Sequence, residues 1–315
     1  MVIFFYNGGN DSADTALKVS KISKKMGYEL TCIAIPKTVD NDLVITDSCP
    51  GFGSAAKYIA TSTLEGSLDV QSMSESSTKV FILEVMGRHA GWMAASSVLA
   101  KNEHQNAPHI ILLPEITFNQ KRFLDEVRNN VKNEGYCVVV VSEGVKNYKG
   151  SFLAESDTKD AFGHAQLGGV APFISNLISK NLKMKNHWAV ADYLQRSARH
   201  IASQTDLDHA QAVGKYAVRY AVEGMNGMMP VIKRLPTKSY KWIVEPAPLS
   251  KIANLEKKLP KNFITKNGFG ITKKGIEYFQ PLIKGEAKTY FKNGVPDIKN
   301  LKLELAKKKL RPWKI

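Results

Sequence analysis

The strongest constraint on this chain is a series of short apolar runs, each cut off by glycine or charge. MVIFFY leads to Gly8-Gly9, ELTCIAI spans 29–35, and KVFILEVMG, HIILLPE and YCVVVVSEG begin at 79, 109 and 136. Runs of Val, Ile and Leu without polar alternation belong to strands buried on both faces, the condition of parallel sheets covered by helices. The intervening segments supply those helices: DSADTALKVSKISKKMG, with Asp11 or Ser12 as cap and Gly27 as stop, then HAGWMAASSVLAKN and KRFLDEVRNNVKNEG. The expected class is therefore α/β. Residues 236–315 lose this rhythm and carry many Pro, Gly and Lys, so they read as a C-terminal extension wrapped on the body.

Composition narrows the function classes. At 315 residues and 43% hydrophobic content the chain can bury a large core, in two lobes. No apolar stretch approaches the roughly 20 residues that span a bilayer, and the N-terminus lacks the marks of a signal peptide. Cys32, Cys49 and Cys137 have no metal-type spacing and fit reduced thiols in a cytoplasmic protein. Residues 231–315 hold 21 Lys+Arg against 6 Asp+Glu, while the rest of the chain holds 23 of each. This local excess raises nucleic-acid binding, but the lysines are scattered and arginine is scarce there. A lysine-rich solvated face is the preferred reading, and nucleic acid is disfavoured.

The unusual residues recur at strand ends. Gly8-Gly9-Asn10-Asp11, the segment PKTVDNDL (36–43), Met86-Gly87-Arg88, Glu115 and Glu143-Gly144 each follow an apolar run. A charged turn is usually only a solvated turn. In parallel α/β sheets, however, the ligand crevice lies beyond the carboxyl ends of the strands, and five coincidences there point to a binding site. No Walker A, GxGxxG or GxSxG pattern occurs. What remains is a Gly-Gly helix start suited to phosphate, carboxylates suited to Mg²⁺, and Lys37, Arg88 and Arg196 to balance anionic charge. Phosphoryl transfer uses such a set, with one carboxylate to accept the proton of the attacking hydroxyl.

GGNDS, PKTVDNDL, EVMGRHAGW, VVSEGV and ADYLQR, in this order along the chain, resemble a phosphofructokinase, and more closely its pyrophosphate-dependent branch. The resemblance spans essentially the whole chain. It implies a two-lobed, three-layer α/β sandwich with parallel sheets. Residues 1–51 with about 196–235 would form the phosphoryl-donor lobe, residues 52–195 the sugar-phosphate lobe, and 236–315 the C-terminal extension. It implies reversible glycolytic transfer from pyrophosphate to the 1-hydroxyl of fructose 6-phosphate, with Mg²⁺, in a cytoplasmic homodimer or homotetramer. Carried over by position, Asp40 resembles the general base, with Thr38 beside the transferred phosphoryl and Asp42 assisting the site and the metal. Gly8 and Gly9 would hold the donor. Met86, Gly87, Arg88 and Glu143 would hold the sugar, and Tyr193 and Arg196 its 6-phosphate. Lys79 and His187 stand where the family often places arginines that reach across a subunit interface. Asp11 and Lys37 stand where the ATP-using branch has glycines. Asp11 would exclude an α-phosphate and Lys37 would steady a small inorganic donor.

Two departures qualify the resemblance. Asn10 stands where the family loop has a metal-binding aspartate, and a neutral amide weakens direct coordination. The family's first strand–helix segment is expected ahead of Met1. A non-catalytic subunit or sugar-phosphate sensor therefore stays open as the alternative.

Overall fold

A computed structural model describes residues 2–159, 165–167 and 169–300, together with 302, 304 and 307. All five apolar runs are strands, but they divide between two sheets. β1 (Val2–Gly8), α1 (Asn10–Lys25) and β2 (Leu30–Pro36) open the chain, followed by α2 (Phe52–Met73) and β3 (Val80–Val85). Next come α3 (Trp92–Ser96), β4 (Ile110–Leu112), α4 (Gln120–Glu134) and β5 (Cys137–Ser142). A pair of short strands, β6 (Glu155–Lys159) and β7 (Ala165–Leu167), precedes α5 (Val170–Leu182) and β8 (Asn186–Val190). The chain continues through α6 (Leu194–Ser197), α7 (Gln204–Val222), β9 (Met228–Arg234), β10 (Trp242–Pro248) and α8 (Lys273–Phe279).

The first sheet has the order β1-β2-β9-β10, and the second β4-β5-β3-β8. Every pairing in the second sheet is parallel. In the first, β10 runs antiparallel to β9. Both sheets are covered on each face, as the unbroken apolar runs require. On one face of the second sheet, Phe123, Leu124 and Val127 of α4 and Val170, Ile174 and Ile178 of α5 meet Ile82, Ile110 and Val139. On the other, Phe52, Ala55, Ala56 and Ile59 of α2 pack on Leu83, Val85 and Val140. The first sheet is lined by Ala13 and Ala16 of α1 on one side, and by Ala217, Tyr220 and Ala221 of α7 on the other.

Three local expectations change. The N-cap of α1 is Gly9 and not Asp11 or Ser12, with no side chain bonding the first amides. The expected helix over 89–102 is α-helical only at Trp92–Ser96, and Ser97–Ala100 tightens into a 3-10 turn. The C-terminal extension does more than wrap the body. β10 is a strand of the first sheet, and Leu259, Phe263, Ile271, Phe279 and Leu282 enter the core beneath α2 and α3. Trp92 of α3 meets Phe263 and Phe279 edge-on, with ring centroids 6.2 and 6.1 Å apart.

His209 of α7 carries a pH signature. It is buried, with Nε2 3.1 Å from the Tyr240 hydroxyl and the Trp242 ring edge-on at 4.6 Å. Burial holds its pKa down at about 4, against an ordinary 6.5. Between those values the unfolded chain takes up a proton that the native state refuses, so native stability falls as pH drops through this window. The single-site loss reaches about 3 kcal/mol. Denaturant titrations at pH 7 and pH 4.5 should show a smaller acid loss in His209→Gln than in the wild type. Equal losses in the two proteins would contradict this account.

Candidate active site

Register brings the marked loops together. Gly8 is abreast of Pro36 in the first sheet, so Gly9–Asp11 and Lys37–Asp42 leave side by side. Val85 is abreast of Ser142 in the second sheet, so Met86–Arg88 and Glu143-Gly144 do the same. These loops border one cleft of about 660 Å³. Asn10, Asp11, Asp40, Asp42, Arg88, His89 and Glu143 line it on the N-terminal side of the sequence, and Asn254, Leu255, Glu256 and Lys258 close it from the C-terminal extension.

The segment after β2 is built to turn two carboxylates outward. Lys37 N–H donates to Gly8 O at 3.0 Å, and Thr38 N–H to Pro50 O at 3.2 Å. Thr38 is buried, and its hydroxyl accepts from the Asp40 amide at 3.1 Å. Asn41 has φ +53°, a left-handed conformation that asparagine tolerates better than most residues. Its side chain turns inward, where Oδ1 accepts from Cys49 N–H at 3.0 Å and Nδ2 donates to the Tyr278 hydroxyl at 2.9 Å. Asp40 and Asp42, on either side of this inward residue, are left at the cleft.

On the opposite wall, close backbone approach decides the sequence. Gly87 has φ +138°, and a Cβ there would lie 2.8 Å from Ala90 O. At Gly144 a Cβ would lie 2.0 Å from the Arg88 carbonyl oxygen. The two loops can interlock only with glycine at both positions. Gly87 N–H then donates to Glu143 Oε1 at 3.1 Å, and the Ser142 hydroxyl donates to Gly87 O at 2.6 Å. Arg88 is thereby fixed near Glu143 and Asp40.

Desolvation dominates the electrostatics. It raises the Asp40 carboxyl to about 7, helped by the negative charges of Asp42 and Glu143 and opposed by Arg88 and Lys37. Asp42 and Glu143 are also raised, again chiefly by burial. A half-buried carboxylate near neutrality can accept and release a proton at working pH. Asp42 Oδ1 is buried and accepts no hydrogen bond. Across the cleft mouth, His89 Nδ1 and Glu256 Oε1 are 2.9 Å apart.

Other expected site residues lie outside this cleft or, like Asn10, line it with their side chains committed to the scaffold. Arg196 borders a second cavity of about 240 Å³ with Ser54, Gln195, Arg199 and Asp206, and its guanidinium lies 4.0 Å from the Tyr193 ring centroid. Met86 N–H donates to Gln195 Oε1 at 3.3 Å. Lys79 lies at the start of β3, away from the cleft, and its ammonium donates to the Ser74 carbonyl at the end of α2. His187 is exposed on β8, paired in register with Phe81. Glu115 belongs to the scaffold, accepting from Gly91 N–H and Leu259 N–H, each at 3.0 Å. Asn10, expected near a metal, has both amide atoms engaged: Nδ2 donates to Leu255 O at 2.8 Å and Oδ1 accepts from Asn254 N–H at 2.7 Å. The C-terminal wall, with Glu256 and Lys258, had no signal in the sequence, where it is one stretch of a lysine-rich region without a motif.

Comparison with known proteins agrees with this geometry. The profile of the family described as Phosphofructokinase matches residues 2–221. A pyrophosphate–fructose 6-phosphate 1-phosphotransferase of Halomonas elongata is 56% identical over 99% of this chain and 74% of its own. One of Xanthomonas campestris is 56% identical over 98% of this chain and 75% of its own. The crystal structure of a pyrophosphate-dependent phosphofructokinase from Nitrosospira multiformis superposes with a TM-score of 0.91 at 54% identity, over 100% of this chain and 75% of that one. The strand-end cleft, the loops that border it and these matches together establish that the chain belongs to the phosphofructokinase family.

Proposed function

We propose that the chain transfers a phosphoryl group from pyrophosphate to the 1-hydroxyl of fructose 6-phosphate, giving fructose 1,6-bisphosphate and phosphate. The observation that carries this reading is Asp40, a carboxyl raised to about 7 at a cleft bordered by the Gly8–Asp11 loop and Arg88. The names of the relatives, which cover nearly all of this chain, support it. The four strands β1, β2, β9 and β10 form the donor lobe in this proposal, and the β4-β5-β3-β8 sheet the sugar-phosphate lobe.

In the forward direction the 1-hydroxyl oxygen forms a bond to one phosphorus of pyrophosphate, and the bridging P–O bond breaks. The hydroxyl proton passes to Asp40, and inorganic phosphate leaves. Met86, Arg88 and Glu143 hold the sugar, with the Gly87 amide fixing the Glu143 carboxylate. Arg196, with the Tyr193 ring against its guanidinium, serves the 6-phosphate from the second cavity. The uncapped first turn of α1, after Gly8 and Gly9, receives the donor's oxygens on backbone N–H groups. Thr38 fixes the backbone beneath the transferring group. Reversal uses the same groups, with Asp40 as acid.

Mg²⁺ fits this site as a cation shared with the donor. Among the described residues no cluster of three or more His, Cys, Asp or Glu forms a protein cage. Mg²⁺ is usually held by one or two carboxylates together with substrate phosphates, and the unpartnered Asp42 Oδ1 provides such a ligand. When bound, the ion would supply positive charge to the donor's phosphate oxygens. Asn10 is committed to the 254–255 backbone and contributes by holding that wall.

A homo-oligomer is also proposed. β8 is the edge strand of the second sheet and exposes Trp188 and Val190 beside His187. Subunits carrying Lys79→Ala, mixed with subunits carrying Arg88→Ala, should regain sugar-phosphate binding if sites are shared. Mixed oligomers without recovery would count against sharing. No helix among the described residues is long and apolar enough to cross a membrane. A cytoplasmic location is proposed, and fractionation of cells that express the chain tests it: recovery with the membranes would refute it.

Two kinetic predictions follow from the site. Asp40→Asn keeps the side-chain shape but cannot accept the proton, so turnover should fall by ~10²–10⁴-fold with fructose 6-phosphate affinity nearly unchanged. Wild-type turnover should decline as pH drops through about 7, because protonated Asp40 is no longer a base. An unchanged rate in folded Asp40→Asn would remove Asp40 from this role.

The donor is tested by separate assays with pyrophosphate and ATP. Asp11 at the cleft repels an α-phosphate, and Lys37 supplies charge to a donor without a nucleoside. Turnover is expected with pyrophosphate and not ATP, and Lys37→Gly should lower it. Turnover with ATP alone would overturn the assignment. Tight sugar-phosphate binding with no turnover on either donor would instead favour the sensor.

A further inference from the structure

We propose that Lys257, in the C-terminal extension, is a positioning residue for the loop that carries Asp40 and Asp42. The proposal rests on the phosphotransferase reading above. Lys257 lies outside residues 2–221, which the family profile matches, and no motif marks it.

Its contacts converge on one loop from several directions. The main-chain N–H donates to Asp42 O at 2.6 Å. The ammonium donates to Thr46 O at 2.9 Å, Asp47 O at 3.2 Å and Asn41 Oδ1 at 3.3 Å. The carbonyl oxygen accepts from the Trp92 indole N–H at 2.7 Å, and the ammonium lies 5.1 Å from a Trp92 ring centroid. One residue thus holds the loop at positions 41, 42, 46 and 47, and ties it to α3 beneath the opposite cleft wall. Tyr278, also from the extension, adds to the clamp: its hydroxyl accepts from Asn41 Nδ2 and donates to the Asp47 carbonyl.

The chemistry explains why a cation is used. Asn41 is left-handed and inward, so its amide oxygen and the carbonyls of residues 46 and 47 converge on the Lys257 ammonium beside buried Asn41 and Thr46. Converging carbonyl oxygens need donors, and an ammonium supplies three in one group. Asp42 and Asp47 add negative charge around it. Without Lys257 the Thr46 carbonyl loses its ammonium donor, while the Asn41 amide oxygen keeps Cys49 N–H and the Asp47 carbonyl keeps the Tyr278 hydroxyl. The turn that aims Asp40 and Asp42 at the cleft then loosens. Catalytic geometry is sensitive to such shifts: misplacement by ~1 Å can cost ~10²-fold in rate.

The test compares Lys257→Met, Lys257→Arg and Tyr278→Phe with the wild type. Lys257→Met keeps the stem and removes the donors. Its kcat should fall by ~10–10²-fold, while KM for fructose 6-phosphate stays within about threefold. Lys257→Arg should recover part of the rate, and Tyr278→Phe should lose a smaller part. Amide hydrogen exchange over residues 38–47 should rise in Lys257→Met with the two sheets unaffected, a readout that does not depend on turnover. Wild-type kcat in Lys257→Met, or unaltered exchange over 38–47, would overturn the proposal. So would equal loss of protection throughout the molecule, the mark of a merely structural staple. If Lys257→Met does not fold, Tyr278→Phe decides: wild-type rate and exchange there would count against the clamp. An inactive wild type would refute the phosphotransferase reading instead, and the exchange result would still judge Lys257.

Discussion

The loop from Lys37 to Gly51 is the constraint on which the rest of the structure depends. It leaves the last residue of a strand in one sheet and enters α2, which covers the other sheet. It must satisfy its own backbone and still keep two carboxylates at the cleft. Burial without partners would cost several kcal/mol for each orphaned group. The solution is to turn Asn41 inward, bridge Thr38 to Gly51, and anchor the far end on α7. There Asp206 accepts from Gly51 N–H at 3.0 Å and from the Ser54 hydroxyl at 2.6 Å. Tertiary contacts, and not local propensity, fix the conformation.

The cleft gathers Asp11, Asp40, Asp42, Glu143 and Glu256, while Arg88 and Lys258 bring positive charge. Burial first, and then crowding by Asp42 and Glu143, raises the Asp40 carboxyl to about 7, a cost in electrostatic free energy that the folded scaffold sustains. Two phosphorylated ligands would add still more negative charge, which is why the cations matter. Two of the many lysines of residues 231–315, Lys257 and Lys258, reach the loop and the cleft, so the basic extension does more than keep the surface solvated.

Much of this was legible in the sequence, and the reason differs by element. The run from Cys137 to Ser142 is buried at every position, as an unbroken apolar strand should be. The strand-end loops carrying Asp40, Arg88 and Glu143 meet because parallel register forces neighbouring strand ends together. Periodicity could not say that the runs belong to two sheets, since it reports burial and not pairing. Nor could it reveal β10, whose mixed exposure and two prolines hide an edge strand. Glu115 looked like a site residue because charge at a strand end is informative only once its partners are known. Lys257 was invisible for the opposite reason: its role comes entirely from contacts with residues more than 160 positions away.

The central claim is that this cleft exchanges a phosphoryl group between a sugar and inorganic phosphate without a nucleotide. The most direct measurement follows fructose 1,6-bisphosphate and phosphate by ³¹P NMR, with the purified chain, Mg²⁺ and no nucleotide. The account predicts a growing pyrophosphate signal with matching loss of the 1-phosphate ester, approaching an equilibrium that is the same from either side. A bisphosphate signal that stays constant, in protein shown to be folded and to bind fructose 6-phosphate, would contradict it.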